Sequence, residues 1–304
     1  MKILLLPSHG LGNQLFQYAA GLFYAKKHGA RLEIVRRHKE RADFFGHPRP
    51  FLLSQFRLSA PVRELNMRDR LICSVSSRKR PLVVTARFVF RAATVEEPYV
   101  DHWTFMPALL HQKTARRVYV NGFFQAHQYA REEGQCLRNE FQLRNPASGK
   151  NLDSLEQIRA VENPVSLHVR RGDYAVWRGG AMVLKPRYYA LAMQALLERV
   201  SNPTFFVFSD DMTFAREILP KCEQMVFVDH NDEANPHEDL RLMSACRHHI
   251  IANSTLSWWG AWLNPAQEKT VCAPMRWQND DPETPDPDIL PPEWLRIDPE
   301  MPSI

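Results

Sequence analysis

Long hydrophobic runs are absent from the 304-residue sequence. Its longest apolar stretches, such as residues 3–6 and 82–84, fall far short of the roughly 20 residues that a membrane-spanning helix needs. The N-terminus also lacks the successive basic, apolar and small-residue regions of a secretory signal. We therefore expect no membrane span, no secretion and a cytoplasmic location.

Cysteine is scarce and follows no pattern. There are five cysteines and no CxxC pair, which argues against a disulfide framework and against a zinc knuckle. We expect reduced thiols that mostly pack in the core. The five are Cys73, Cys136, Cys222, Cys246 and Cys272.

Acidic residues are few at the start of the chain, and basic residues are few at its end. Residues 1–100 carry 18 Lys and Arg against 7 Asp and Glu, whereas residues 201–304 carry 7 against 18. Two interpretations of the basic third stay open. Its charges are solvated surface residues, or they attract an anionic acceptor or an anionic membrane surface to which the protein binds peripherally. The acidic third and the absence of a recognised module argue against a nucleic-acid partner, despite a pI of about 9.0.

The chain is long enough for two domains and, with 44% hydrophobic residues, apolar enough to fold. Residues 2–25 show a short apolar run, a glycine loop and helical spacing, and a second apolar run follows at 31–35. The polar, breaker-rich residues 145–150 predict the domain junction. We therefore assign residues 1–150 and 151–304 to separate domains.

Strand and helix patterns alternate after the junction, which is typical of a parallel, doubly wound α/β sheet. In the first domain a strand is predicted at 118–120 and one helix at 129–141, while residues 36–101 give no clear assignment and residues 279–292 read as an extended arm. The strands predicted after the junction are 165–169, 204–208, 225–228 and 249–252, and the helices are 188–200, 214–219, 238–245 and 258–263.

A histidine and two arginines follow the first strand of the second domain. His168, Arg170 and Arg171 stand where parallel sheets bind ligands, and guanidinium groups match phosphate oxygens. This pattern indicates an anion site. The alternative is a buried ion-pair node in which Asp173 holds one of the arginines. Because adjacent residues of a strand face opposite sides, the two arginines can divide these roles.

Three further loops carry candidate ligand groups. The loop His9–Gln14 precedes a helix whose free N–H groups favour an anion, although a tight turn capped by Asn13 explains it equally well. Ser209, Asp210 and Asp211 close a second strand, and no further acid or histidine at ligand spacing supports a metal there. Asn253, Ser254 and Thr255 precede a helix that they can cap, or where they can bind phosphate. Three tryptophans follow, which we interpret mainly as packing residues: Trp258, Trp259 and Trp262.

Four blocks in this order resemble the bacterial and animal α-1,2-fucosyltransferases of glycosyltransferase family 11. They are residues 10–19, residues 120–125, residues 168–174 with 208–211, and residues 239–244 continuing into 251–264. The resemblance implies a GT-B-like fold, with two Rossmann-like domains whose parallel sheets face a central cleft. It also implies GDP-fucose as donor substrate, no metal or other cofactor, and inversion to an α-1,2 product.

Roles follow from the resemblance position by position. His168, Arg170 and Arg171 would stabilise the leaving GDP, Ser254 and Thr255 would contact phosphate, and Asp239 would contact guanine or ribose. The C-terminal domain would bind the nucleotide sugar, and the N-terminal domain would lie on the acceptor side. The candidate catalytic residues are Arg170, Arg171, His168 and Asp173, and the candidate donor-binding residues are Gly10, Gly12, Asn13, Gln14, Ser209, Asp210, Asp239, Asn253, Ser254 and Thr255.

The base and the acceptor are less defined. His9 and Asp173 are candidate bases, and Ser8-His9 stands where the family has Gly-Gly. By analogy the acceptor is the 2-hydroxyl of a galactose in an oligosaccharide or lipid-linked glycan. Two alternatives stay open: a transferase of the same fold with another nucleotide sugar or linkage, and a non-catalytic glycan- or nucleotide-binding module. The complete set of diphosphate-site residues favours an enzyme.

Overall fold

A computed structural model describes residues 1–37, 49–73, 80–97, 103–110, 115–277 and 288–300. The chain divides into two compact units, Met1–Arg144 and Asn145–Ile304. The division lies a few residues before the junction placed after residue 150, because the loop from Asn145 belongs to the second unit: Arg241 Nη2 donates a hydrogen bond to the Asn145 carbonyl at 2.8 Å. The assignment of acceptor and donor to the two domains stays a prediction.

The first unit contains a parallel sheet with strand order β3-β2-β1-β5-β4 among its described residues. Helix α1 follows β1 directly, so β1, α1 and β2 form the predicted strand–helix–strand unit. The elements are β1 (Lys2–Leu5), α1 (Leu11–Lys27), β2 (Arg31–Arg36), β3 (Val62–Glu64), α2 (Met67–Ile72), α3 (Arg80–Val89), β4 (Ala92–Glu96), β5 (Arg117–Asn121), α4 (His127–Glu132) and α5 (Gly134–Glu140).

The second unit contains a parallel sheet with strand order β11-β10-β9-β6-β7-β8 in the part of the chain described. Strands alternate with helices as predicted. The elements are α6 (Lys150–Ala160), β6 (Asn163–Val169), α7 (Pro186–Leu197), β7 (Pro203–Ser209), α8 (Met212–Ile218), β8 (Met225–Phe227), α9 (Pro236–Ala245), β9 (His248–Ile250), α10 (Thr255–Leu263), β10 (Val271–Pro274) and β11 (Leu295–Ile297).

Helix α1 is buried on nearly all sides, which explains its apolar sequence. Its N-cap is Gly10, which has no side chain with which to cap the first N–H groups. Lys26 and Lys27 in the last turn suit the negative end of the helix dipole. Tyr18 donates its hydroxyl proton to the Glu140 carboxylate, which ties α1 to the end of α5.

The structure corrects one helix and adds several elements. The single helix predicted at 129–141 is two helices, because Glu133 leaves the helical conformation (φ −106°, ψ 15°) and Gly134, a weak helix former, follows it. Residues 36–101, which gave no assignment, contain β3, α2, α3 and β4. Part of the arm predicted at 279–292 lies outside the described residues. No helix among the residues described is long and apolar enough to cross a bilayer.

The tryptophans of α10 lie in the core of the second unit, as predicted. Trp258 and Trp259 are fully buried and Trp262 is 8% exposed. Trp258 packs edge-on against Trp259 at 4.8 Å between ring centroids, and its Nε1 donates to the Ile289 carbonyl at 2.7 Å. A buried indole with a satisfied N–H is typical of a packing residue.

We expect Trp258→Ala to lower the free energy of unfolding by about 3–5 kcal/mol, because the truncation leaves a cavity and an unpaired carbonyl. Urea unfolding followed by circular dichroism measures the change. Leu197→Ala, at a side chain 54% exposed, serves as control and should change it by less than about 0.5 kcal/mol. Wild-type stability combined with weaker sugar binding would instead identify Trp258 as a sugar platform.

Candidate active site

Four polar loops meet the carboxyl edge of the second sheet. Strand β6 pairs with β7 on one side and β9 on the other, and β8 lies beyond β7. Val169 is aligned with Ser209, so Arg170 and Asp210 leave the sheet side by side. The loop after β9 carries Asn253. The edge therefore brings together the arginine, aspartate and hydroxyl groups that the sequence indicated.

Arg170 is held between two carboxylates. Its Nη2 lies 2.6 Å from Asp173 Oδ1 and its Nη1 lies 2.6 Å from Asp210 Oδ2. Burial disfavours the guanidinium charge, but attraction to Asp210 and Asp173 outweighs it and raises the pKa of Arg170. The ring of Tyr174 lies below the guanidinium, at 5.5 Å from its centroid. Arg170 is thus the ion-pair node that the sequence left as an alternative.

Gly172 is required beside this node. A Cβ atom there would lie 2.3 Å from Asp210 Oδ2, a distance that real Cβ atoms do not show. Asp210 also accepts a hydrogen bond from the backbone N–H of Arg171 at 2.9 Å. The carboxylate of Asp210 therefore fixes the arginine loop, and its assignment as a donor-binding residue stays a prediction.

Arg171 points away from that node and is the more accessible arginine. Its side chain is 42% exposed, against 20% for Arg170. Its Nη1 lies 2.6 Å from Asp211 Oδ2, and its guanidinium lies 4.5 Å from the Phe214 ring centroid. Asp211 caps α8 by accepting from the Phe214 N–H at 2.9 Å, and this bond, with the charge of Arg171, lowers the pKa of Asp211.

His168 is buried on β6 and carries no positive charge at neutral pH. Burial, helped by repulsion from Arg170, lowers its pKa to about 3. Its Nδ1 is buried and has no hydrogen-bond partner among the described residues. His168 therefore adds no positive charge to the expected diphosphate site, and its contact with the leaving group stays a prediction. A neutral His168 can act only as a hydrogen-bonding group.

Part of the loop before α10 has a structural role, because Asn253 bonds to neighbouring loops. Asn253 is 1% exposed, and its Nδ2 donates to the carbonyls of Met182 at 3.0 Å and Trp277 at 3.2 Å. Tyr174 donates to the Asn253 carbonyl at 3.0 Å, which links the arginine loop to this one. Ser254 is the N-cap residue, yet its hydroxyl caps no N–H group. The first turn of α10 therefore keeps donors for an anion.

Ser209 also serves its own loop. Its Oγ accepts from the Asp211 N–H at 3.0 Å and donates to the Asp211 carbonyl at 3.0 Å. The hydroxyl thus shapes the turn that presents Asp211 to Arg171. The hydroxyl keeps one further acceptor site, and its contact with the donor stays a prediction.

Asp239 lies in the first turn of α9, following β8. Its Oδ1 accepts from Asn231 Nδ2 at 2.8 Å, a partner that sequence reasoning missed because no motif marks Asn231. Burial raises the pKa of Asp239 to about 6. Asn231 Nδ2 also lies 3.0 Å from Asn151 Oδ1, so the carboxylate sits in a polar recess that suits an N–H donor group.

The loop before α1 places its groups differently from expectation. Gln14 is 2% exposed; its Nε2 donates to the carbonyls of His9 at 2.9 Å and Pro50 at 2.7 Å, and its Oε1 accepts from the Leu52 N–H at 3.0 Å. The amide of Gln14 therefore holds neighbouring loops in place, and its assignment as a donor-binding residue stays a prediction.

Asn13 and His9 remain at the surface of this loop. Asn13 Oδ1 accepts from Gln125 Nε2 at 2.6 Å. His9 has a positive φ of 67°, and its ring lies 4.7 Å from that of Phe123. Gly10 would accept a Cβ without a neighbour within 4 Å, whereas Gly12 is buried.

No group of three His, Cys, Asp or Glu side chains among the described residues is placed to hold a metal ion.

Comparison with known proteins identifies the family. The model of glycosyl transferase family 11 matches residues 90–298. An alpha-1,2-colitosyltransferase of Escherichia coli is 31% identical, over 95% of this chain and 96% of its own length. The chain belongs to glycosyl transferase family 11. It is also 27% identical to galactoside alpha-(1,2)-fucosyltransferase 1 of Homo sapiens, over 84% of this chain and 64% of that protein.

Solved structures confirm the GT-B-like α/β fold of this family 11 glycosyltransferase. NodZ alpha-1,6-fucosyltransferase soaked with GDP-fucose superposes with a TM-score of 0.51 at 15% identity, covering 87% of this chain and 92% of that one. FUT1 of Arabidopsis thaliana in complex with GDP gives 0.55 at 10% identity, covering 94% and 73%. At such low identity the likeness concerns the fold alone.

The two arginines of this glycosyltransferase should respond differently to truncation. We expect Arg170→Ala to lower the free energy of unfolding by about 3–5 kcal/mol, because it removes the counter-ion of two largely buried carboxylates. Arg171→Ala should lower it by less than about 1 kcal/mol, since its ion pair is exposed. Urea unfolding of both variants measures the difference. Equal losses would contradict the division between a buried and an accessible arginine.

Proposed function

We propose that this chain is an inverting fucosyltransferase that transfers L-fucose from GDP-β-L-fucose to the 2-hydroxyl of a galactose and forms an α-1,2 linkage. The observation that carries the proposal is Arg171, an accessible guanidinium oriented by Asp211 at the carboxyl edge of the second sheet. The relatives named as α-1,2-fucosyltransferases and α-1,2-colitosyltransferase support the linkage.

The reaction places its charge on the leaving nucleotide. The acceptor oxygen forms a bond to the anomeric carbon of fucose while the bond from that carbon to the β-phosphate oxygen breaks. GDP leaves with the electron pair, and the acceptor hydroxyl gives up its proton. A cation fixed beside the β-phosphate stabilises the transition state more than the ground state, because negative charge grows there as the bond breaks.

Arg171 is suited to that position. Its contact to Asp211 runs through Nη1, and a guanidinium has five N–H donors, so donors remain for phosphate oxygens. The first turn of α10, with Ser254 and Thr255, follows the neighbouring strand and adds N–H groups and its positive dipole end. We propose that these charges act without a metal ion, with GDP-fucose as substrate and no cofactor.

Asp239 is proposed to bind the guanine base. The edge of guanine presents two N–H donors, and the carboxylate of Asp239, fixed by Asn231 at 2.8 Å, offers the matching acceptors. The solved relatives of this fold that contain GDP or GDP-fucose support a guanine nucleotide.

The acceptor proton has two proposed recipients. Asp173 lies on the arginine loop, but its Oδ1 is engaged by Arg170 at 2.6 Å. His9 Nδ1 lies 3.0 Å from Ser8 Oγ. Acceptor glycans carried on a lipid or free in solution are both compatible with the proposal.

Colitosyl transfer is the second candidate, because a relative 31% identical over almost the whole chain is an α-1,2-colitosyltransferase. Colitose is fucose without its 3-hydroxyl, so a site built to bond that hydroxyl would discriminate between the two donors. Calorimetric titration with GDP-fucose, GDP-colitose, GDP-mannose and UDP-galactose, followed by NMR analysis of the product linkage, separates the candidates. Preference for a UDP-sugar would contradict the guanine assignment.

Arg171→Ala should reduce kcat about 100- to 1,000-fold, as removal of one transition-state donor does in other enzymes, with the fold intact. Arg216→Ala is a matched control. Arg216 also pairs with an aspartate, Asp229, at 3.1 Å and lies 3.9 Å from the Phe227 ring centroid, yet it should keep wild-type kcat. EDTA should leave wild-type turnover unchanged, and a collapse under EDTA would refute the metal-free step.

Donor binding should weaken as the pH falls through about 6. The carboxylate of Asp239, whose pKa is raised to about 6, accepts two N–H groups of guanine only when it is ionised. Asp239→Asn should lower GDP affinity about 10- to 100-fold and flatten this pH dependence. Titration calorimetry with GDP between pH 5 and pH 8, roughly the range over which the group ionises, provides the measurement. An unchanged profile in the variant would assign the pH effect elsewhere.

A further inference from the structure

The outward side of helix α3 is apolar and exposed. Leu82, Val84, Phe88 and Val89, which we call the α3 apolar face, are 62%, 60%, 84% and 62% exposed. Singly exposed apolar residues are ordinary, but a cluster on one side of a surface helix indicates a binding surface. On this observation and the charges around it, we propose that the α3 apolar face binds the surface of an anionic phospholipid membrane.

None of the exposed side chains between Leu82 and Val89 is charged. Val83 and Ala86 are buried and define the inner side of the helix. Arg87 lies towards that side, where its Nη2 donates to the Ile72 carbonyl at 3.1 Å. The one polar residue among the outer positions, Thr85, donates its hydroxyl to the Pro81 carbonyl at 3.0 Å. The outer surface thus presents little that needs water, as in helices that lie in a membrane interface.

The surroundings of the α3 apolar face are strongly basic. The described residues 57–73 and 80–91 carry seven Arg against two acidic residues. Both acids are paired: Asp69 lies 2.5 Å from Arg63, and Glu64 lies 3.8 Å from Arg36. The excess positive charge is therefore available to an anionic partner.

Two arginines connect the end of α3 to a basic cavity. Arg68 lies 4.7 Å above the Phe90 ring centroid, and Arg117 Nη1 donates to the Phe90 carbonyl at 3.3 Å. Both line a cavity of about 300 Å³. Its other charged lining residues are Lys2, Arg31 and Arg63, with Glu33 as the acid. Cations beside an exposed apolar helix match the phosphate groups that border the apolar interior of a bilayer.

This charge distribution favours a lipid surface over a second copy of the chain. Two copies joined through the α3 apolar face would bring like-charged surroundings together, which is unfavourable. An anionic bilayer supplies both the apolar layer and the opposite charge. The inference does not rest on the proposed sugar donor.

Co-sedimentation of the full chain with phosphatidylcholine vesicles, pure or mixed with phosphatidylglycerol, tests the proposal. Wild type should bind the mixed vesicles, and less so as salt is raised. Replacing two apolar side chains by Val84→Gln and Phe88→Gln together should weaken that binding about 10-fold or more. Arg68→Gln should weaken it several-fold, on the mixed vesicles only. Leu197→Gln changes an exposed leucine of α7 (54%, against 60% for Val84) and should bind as wild type.

Thermal unfolding of every variant verifies the fold, so the outcome is independent of whether fucosyl transfer is found. Wild type that does not sediment with the mixed vesicles would overturn the proposal. So would unchanged binding of the double variant. A wild-type dimer in light scattering that becomes monomeric in the double variant would assign the α3 apolar face to a second copy and refute membrane binding.

Discussion

The double ion pair of Arg170 with Asp173 and Asp210 is the interaction on which the candidate site depends. A guanidinium removed from water is stable only with paired carboxylates, and these come from the loops after two neighbouring strands, β6 and β7. Tyr174, below the same guanidinium, bonds to the loop after β9. One buried charge therefore fixes three loops of the sheet edge in a single arrangement, before any ligand binds.

In that arrangement the two adjacent arginines have different roles. Arg170 forms ion pairs with both carboxylates, which largely compensate its charge at the edge where the proposed diphosphate would bind. The neighbouring side chain faces the other way, and Arg171 keeps 42% of its surface exposed. With His168 neutral because of burial, the positive potential at this edge, where the proposed diphosphate would bind, comes from Arg171 and the first turn of α10. The electrostatic stabilisation that such a site can provide depends on how rigidly its charges are held in place rather than on how many cations it contains.

The sequence predicted most of the second unit because its strands are buried on both faces and its helices are short and regular. It also placed the polar residues at strand ends, since that follows from strand order. It could not say which polar groups face a ligand and which face each other. Asp210, Gln14 and Asn253 carry the residue types of ligand groups, yet their hydrogen bonds serve the loops. Such partners come from distant chain segments, and Asn231 beside Asp239 has no local signature.

Prediction failed in residues 36–101 for a related reason. The pattern of α3 is hard to read because apolar residues occur on both sides of the helix: Val83 and Ala86 are buried, and Phe88 is exposed. An apolar cluster exposed on one side of a surface helix indicates a binding partner for that side. If that partner is a bilayer, as proposed, the outer side of α3 packs against lipid while its inner side packs against the protein core. An acceptor carried on lipid would then share the enzyme's surface and be concentrated there, so a preference for such an acceptor could arise from location without any added contact to the sugar.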